Sequence, residues 1–238
     1  MAKLSASSLN LFLRCPYAYY LKEIEKVPPS FTDKVFVGKL VHKTLENYFN
    51  HKKQEQDTNA SLIDFLDDSY KELTSSSEIS ITKALNYKDE SVDYLKQYES
   101  IAKTLAPLEV EKEIQLEIAG VNITGYIDLL TVDRKLIDFK TTTQKTIKLS
   151  SEYKMQLSIY SLVNIANSYY LHYITSSSFK EFKIKPLKHS FIYEIIETFN
   201  NAYLSGAFTP SGLTHPYACQ YCAYKEQCKF YKDFSKEI

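Results

Sequence analysis

GYIDLLTVDRKLIDFKTTT, residues 125–143, places apolar side chains at every second position, Ile127 and Leu129 and then Ile137 and Phe139. A period of two belongs to a strand and not to a helix. The polar group Asp133-Arg134-Lys135 between the two runs predicts a turn, so the stretch reads as an antiparallel hairpin. Side chains alternate faces, so the loop decides what the hairpin can do. An odd loop sets Asp128 opposite Lys140 with Asp138 on the same face, while Ile127, Leu129, Ile137 and Phe139 form the core face. An even loop splits the two acids across the sheet. The bland reading is an exposed hairpin with solvated charges. Carboxylates set among apolar residues are costly when unpaired, and a metal ion with a nearby ammonium would offset that cost.

Upstream, Val110, Lys112, Ile114, Leu116 and Ile118 alternate with Glu111, Glu113, Gln115 and Glu117, which predicts a strand turning at Gly120 into the hairpin. The three strands are expected to be consecutive and antiparallel. Glu111 or Glu113 can approach the acid pair, but an exposed acidic edge is the reading preferred for both. Residues 51–106 read as helices, with one stripe through Leu62, Phe65, Leu66 and Leu73, another from Tyr87 to Leu105, and Ser75-Ser76-Ser77 between them. This is an expected helical insertion that shapes a cleft. Before it, Phe36–Phe49 carries the helical stripe Leu40, Val41, Leu45, Tyr48, Phe49, with His42 and Glu46 on a common face. The chain starts with helical spacing from Ser5 to Glu23, broken at Cys15-Pro16, where Pro16 suits the first turn of a second helix. Val27-Pro28-Pro29-Ser30 then marks a loop.

Downstream of the hairpin, a loop over 141–149 leads to a helix expected over 151–166, which puts Gln156 and Tyr160 on one face. Strands follow near 169–174 and 179–184, then a helix over 190–205 stopped by Gly206. The tail, about 207–238, holds Cys219-x-x-Cys222-x5-Cys228, and the fourth cysteine, Cys15, lies at the other end.

The 238 residues are 44% hydrophobic and 24% charged, which suits one sizeable globular domain, 1–238. No apolar run approaches the ~20 residues of a membrane span, and the start lacks the pattern of a signal peptide. A cytoplasmic, reducing location is the expectation. Lys plus Arg and Asp plus Glu are 29 each, so nucleic-acid binding would need a local basic groove and metal ions rather than a global field. There is no Walker or dinucleotide motif, which removes a built-in motor. Disulfides suit a reducing compartment poorly. C-x-x-C lets two thiolates bind one centre, which two more would complete as a tetrahedral zinc or a cubane cluster.

Asp128 followed by Asp138-Phe139-Lys140 resembles motifs II and III of the PD-(D/E)XK nuclease superfamily, in the RecB-like branch that includes CRISPR-associated exonucleases with an iron-sulfur cluster. Gly38-x-x-x-His42 resembles that branch's first motif, and Gln156-x-x-x-Tyr160 its additional one. One distant cysteine plus the C-x-x-C-x5-C tail resembles its iron-sulfur staple. The resemblance covers most of the chain apart from the helical middle. It implies a restriction-endonuclease-like α/β core, a mixed sheet with antiparallel strands flanked by helices. It implies a metal-dependent DNA nuclease, an exonuclease preferring single-stranded ends, in repair, recombination or CRISPR adaptation, with a helicase or CRISPR protein as partner. His42, Asp128, Asp138 and the Phe139 carbonyl would bind Mg2+ or Mn2+, Lys140 would serve the attacking water, and Gln156 and Tyr160 would position the strand. Cys15, Cys219, Cys222 and Cys228 would hold a [4Fe-4S] cluster, with zinc as the alternative. A catalytically silent DNA-binding subunit, a structure-specific endonuclease and a zinc-stabilised interaction protein are the other readings.

Overall fold

The computed structural model describes residues 2–30, 35–55, 59–75, 81–144, 146–212, 216–220 and 222–231. Part of the expected serine separator, residues 76–77, and the end of the tail, 232–238, lie outside them. In chain order the elements are β1 (Ala2–Ser5), α1 (Ala6–Arg14), α2 (Pro16–Tyr19, running into a π-helical turn, Tyr20–Ile24), α3 (Val35–Glu55), a 3-10 turn (Leu62–Phe65), α4 (Leu66–Ser75), α5 (Ile81–Thr104), β2 (Pro107–Ile118), β3 (Val121–Thr131), β4 (Lys135–Thr141), α6 (Ser151–Ser161), β5 (Ser168–Ile174), β6 (Phe179–Ile184), α7 (His189–Ser205) and α8 (Pro216–Gln220). Among the described residues, no helix is long and apolar enough to cross a membrane. The chain divides into two compact units, Met1–Thr32 with Ile114–Gly125 and Leu187–Ile238, and Asp33–Glu113 with Tyr126–Pro186. Strand β3 contributes its first half to one and its second half to the other.

In the first unit β1 pairs in parallel with the start of β3, from Ala2 opposite Val121 to Ser5 opposite Thr124. Ser5 then caps α1 by accepting from the Ser8 N–H at 3.1 Å. Leu9 and Phe12 of α1 are buried, and Phe12, Tyr19 and Phe199 meet edge to face with centroids 5.1–6.0 Å apart. Phe199 belongs to the buried stripe Ile192, Ile196, Phe199 of α7. That helix ends where Gly206 takes φ 67°, the left-handed conformation that glycine adopts at little cost. The loop and the tail are tied, because Ser30 donates both its N–H and its hydroxyl to the Ala223 carbonyl, each at 2.8 Å.

The second unit carries a mixed sheet. β4 is antiparallel to β3, β5 parallel to β4 and β6 antiparallel to β5. The β3–β4 turn places Arg134 at φ 61°, with the Thr131 hydroxyl donating to Asp133 at 2.6 Å and accepting the Lys135 N–H at 3.0 Å. Parallel pairing of β4 with β5 requires a crossover, and α6 supplies it. Phe139 points to one face, stacked on Phe49 of α3 at 5.9 Å and edge-on to Tyr98 of α5 at 5.5 Å. Its neighbour Asp138 points to the other, where Gln156 of α6 reaches it. Helices therefore cover both faces. The core joins Leu40, Leu45 and Phe49 of α3, Leu95 and Tyr98 of α5, and Leu129, Ile137 and Phe139 of the sheet.

Several details depart from the sequence reading. The short strand β1 lies where the helix was expected to begin, and α6 stops at Ser161 rather than Ala166, with Asn164 at φ 55° beyond it. The β3–β4 register pairs Leu129 with Ile137 and Leu130 with Leu136, which by continuation sets Asp128 opposite Asp138, not Lys140. The three charged residues still share a face, because the shift is an even number of residues.

Candidate active site

The predicted residues come together at the end of β4, all within the second unit. Gly38 opens the way. A Cβ built there would meet Thr141 Oγ1 at 2.8 Å, so α3 lies against the end of β4 closely enough that any larger residue must displace the Thr141 hydroxyl or move the helix. One helical turn later His42 faces the strand pair, with Nδ1 3.8 Å from Asp128 Oδ2 and its ring edge-on to Phe139 at 6.2 Å. We expect Gly38→Ala to cost about 1–3 kcal/mol and to cut any reaction that depends on His42, since the turn carrying it must back away. Melting temperature and reaction rate check this. Adding Thr141→Ala, which removes the opposing hydroxyl, should restore both.

Enclosure first and Lys140 second lower the His42 pKa, against Asp138 and a backbone hydrogen bond with Phe139, and together they leave it at about 4. The imidazole is therefore neutral near pH 7 and can offer a lone pair. Asp128 Oδ2 accepts the Phe139 N–H at 2.6 Å, just past the last ladder pair, so a side chain takes a strand N–H there. Burial raises the Asp128 pKa, opposed by Lys140 and by that N–H. The side chain of Asp138 is 2% exposed. Its Oδ1 accepts from Gln156 Nε2 at 2.8 Å, and Oδ2 lies 2.6 Å from the Lys140 ammonium nitrogen, its ion-pair partner. Burial pushes its pKa up to about 6; Lys140 opposes this and Asp128 adds to it. Burial also works against the Lys140 charge, but Asp138 and Asp128 more than offset it and the ammonium is held protonated. Gln156 donates in addition to Tyr160 Oη at 3.1 Å, which joins the last pair of predicted residues to Asp138.

Two features depart from or go beyond the preferred sequence reading. Glu111, taken as an exposed edge, is half-buried at a backbone bend with φ 46° in β2, and burial followed by Asp128 and Glu46 pushes its pKa up to about 7. Beneath Phe139, the Tyr98 hydroxyl lies 2.6 Å from His172 Nδ1, and His172 Nε2 lies 2.9 Å from Glu181. Burial lowers the His172 pKa to about 3, so the ring is neutral. A carboxylate only accepts, so Nε2 carries the proton and Nδ1 accepts from Tyr98. These bonds tie α5 to β5, the strand next to β4, and β5 to β6.

The donors fit a divalent cation in kind, two desolvated carboxylates and a neutral imidazole, and the Lys140 ammonium beside Asp138 is a neighbouring charge rather than a ligand. Their present spacing is looser. Among the described residues, no three His, Cys, Asp or Glu side chains are grouped so as to hold a metal ion. The acids are instead engaged by Lys140, Gln156 and the Phe139 N–H.

In the first unit, Cys15, Cys219, Cys222 and Cys228 line one cavity of about 110 Å3, all as free thiols. Burial raises the Cys219 pKa, and the other three cysteines add to it. Four thiols around one cavity are the donor set of an iron-sulfur cluster, but they too are not gathered around a single ion.

A family model described as the PD-(D/E)XK nuclease superfamily matches residues 3–229. No curated protein matches the sequence significantly. Among solved structures, the protein SSO0001 is similar over 96% of this chain and 87% of its own, at 18% identity and TM-score 0.52. A Eubacterium rectale protein described provisionally as an exonuclease is similar over 87% of this chain and 83% of its own, at 12% identity and TM-score 0.55. At these identities the likeness carries the fold alone.

Proposed function

Because the chain belongs to the PD-(D/E)XK nuclease superfamily, we propose that it is a Mg2+- or Mn2+-dependent deoxyribonuclease, an exonuclease acting on single-stranded DNA ends. The observation that carries this is the meeting of His42, Asp128, Asp138 and Lys140 at the end of β4, with Gln156 bonded to Asp138. His42, Asp128, Asp138 and the carbonyl of Phe139 would hold the metal, and the imidazole makes Mn2+ a suitable activator. The ion supplies charge neutralisation at the phosphate and a more acidic water.

The chain's own groups do the rest. Beside Asp138 and Asp128 the Lys140 ammonium is held protonated, and it stands where it would anchor the phosphate or serve the attacking water. Gln156 fixes the rotation of the Asp138 carboxylate through Oδ1 and is itself steadied by Tyr160. With charges balanced at 29 each way, DNA is held by the local groove and not by a long-range field.

The four cysteines would hold a [4Fe-4S] cluster in a structural role. The four thiols line one cavity and match the donor number of such a cluster, with a tetrahedral zinc as the alternative centre. The working place is the reducing cytoplasm, in repair, recombination or CRISPR adaptation beside a helicase or CRISPR partner, and the chain acts as one functional domain with a helical insertion.

Anaerobically purified protein, given Mn2+ and end-labelled single strands, should degrade linear DNA, spare circular DNA and stop on chelation. Cutting of circles would make it an endonuclease. Binding without any cleavage would make it a silent DNA-binding subunit.

A further inference from the structure

An open cleft of about 600 Å3 extends from His42 and Lys140 and is walled further by Gly38, Lys39, Tyr94 and Tyr153. Its size falls in the ~300–1,000 Å3 range of small-ligand clefts, enough for a nucleotide rather than a duplex. Tyr153 is an aromatic group of the cleft that lies beside the candidate chemistry: Lys140 Nζ sits 4.9 Å from its ring centroid. The ring is also fixed from its edge. Tyr173 packs against it at 5.9 Å and 64°, and Tyr173 is itself buried on β5, in register with Lys140. An aromatic held this way loses little freedom on meeting a ligand.

A cation beside a fixed ring is the pairing that single strands require, the cation for phosphate and the ring for a base face. With only 4.9 Å between them, a nucleotide whose phosphate meets Lys140 brings its base within reach of Tyr153. A base within a duplex has both faces covered by its neighbours, so only an unstacked base can use the ring. Lys39, exposed at the same cleft, offers a second cation for the adjoining phosphate.

We propose that Tyr153 is the base-stacking platform of this cleft. It receives one unstacked nucleobase next to the phosphate at Lys140 and so makes the site select single-stranded DNA. The assignment rests on the nuclease reading above.

The test walks a single abasic site through a fluorescent oligo(dT), measuring binding to the intact wild-type protein with Ca2+ in place of Mn2+. One position should weaken binding about 5- to 100-fold. Tyr153→Ala should lose sensitivity at that position, and Tyr153→Phe, which keeps the ring, should retain it. With Mn2+, the Tyr153→Ala defect should fall mainly on KM rather than kcat. DNA that is bound and cut with no abasic-sensitive position, or with the same sensitivity in Tyr153→Ala, overturns the stacking assignment and leaves the nuclease reading standing. A wild-type protein that neither binds nor cuts any oligonucleotide overturns both. The abasic walk needs no variant, so a Tyr153→Ala chain that fails to fold does not spare the proposal.

Discussion

Asp138→Ala should abolish DNA cleavage, by at least about a thousandfold, while the protein still folds. Asp138 is where the arrangement converges: Lys140 meets one oxygen at 2.6 Å and Gln156 the other at 2.8 Å. Removing the carboxylate withdraws a metal donor and frees the ammonium from its partner. Breaking a buried ion pair can cost several kcal/mol because the remaining charge is stranded. Lys140 escapes that penalty, since its side chain is 18% exposed and lines the open cleft. Asp138→Asn separates the two effects further, because it keeps the shape and an oxygen for Gln156. It should melt within a few degrees of the wild type and be equally inactive. Lys140→Ala should also be inactive, because it removes the ammonium proposed to anchor the phosphate and serve the attacking water. Cleavage rate and thermal melting, measured together, decide the matter, and full activity in any of the three would refute the assignment.

Cys222→Ser should strip the iron from the protein and lower the melting temperature by about 10 °C or more, since the binding energy of such a group is folding energy. The cysteine cavity draws on both ends of the first unit. Cys15 ends α1, while Cys219, Cys222 and Cys228 lie in the tail, which is otherwise tied to the loop through Ser30 and Ala223. Without four thiolates those segments keep the Ser30 bonds and the small cluster of Ala18, Leu21 and Tyr224. Iron and acid-labile sulfide, each near four per chain in the wild type, would support the cluster. Zinc in a one-to-one ratio would replace it with the alternative centre.

Much of this was legible because the signals were local. The alternation through Ile127, Leu129, Ile137 and Phe139 announces β3 and β4, and the stripe from Leu40 to Phe49 announces α3. Gly206 marks the end of α7 to the residue. What escaped depends on partners distant in sequence. Four residues are too few to show a period, so β1 is visible only through its pairing with β3. Register follows from where the turn tightens, at Arg134, which hydrophobic pattern does not encode. Glu111 reads as one of several alternating glutamates until a bend in β2 turns it inward. Tyr98, His172 and Glu181 come from three elements, and no spacing links them. Tyr153 is one tyrosine among 20, set apart by its place beside Lys140 at the cleft.

The bond from the Phe139 N–H to the Asp128 carboxylate gives that acid two employments, one chemical and one architectural. A descendant that had abandoned catalysis would still need something at position 128 to occupy the strand's amide, whereas Lys140, whose partner is the buried Asp138, could be lost together with that second acid. The ammonium is thus the better diagnostic when distant kin are sorted into working and retired enzymes: a sequence retaining the first aspartate but lacking the lysine has kept the frame and lost the trade.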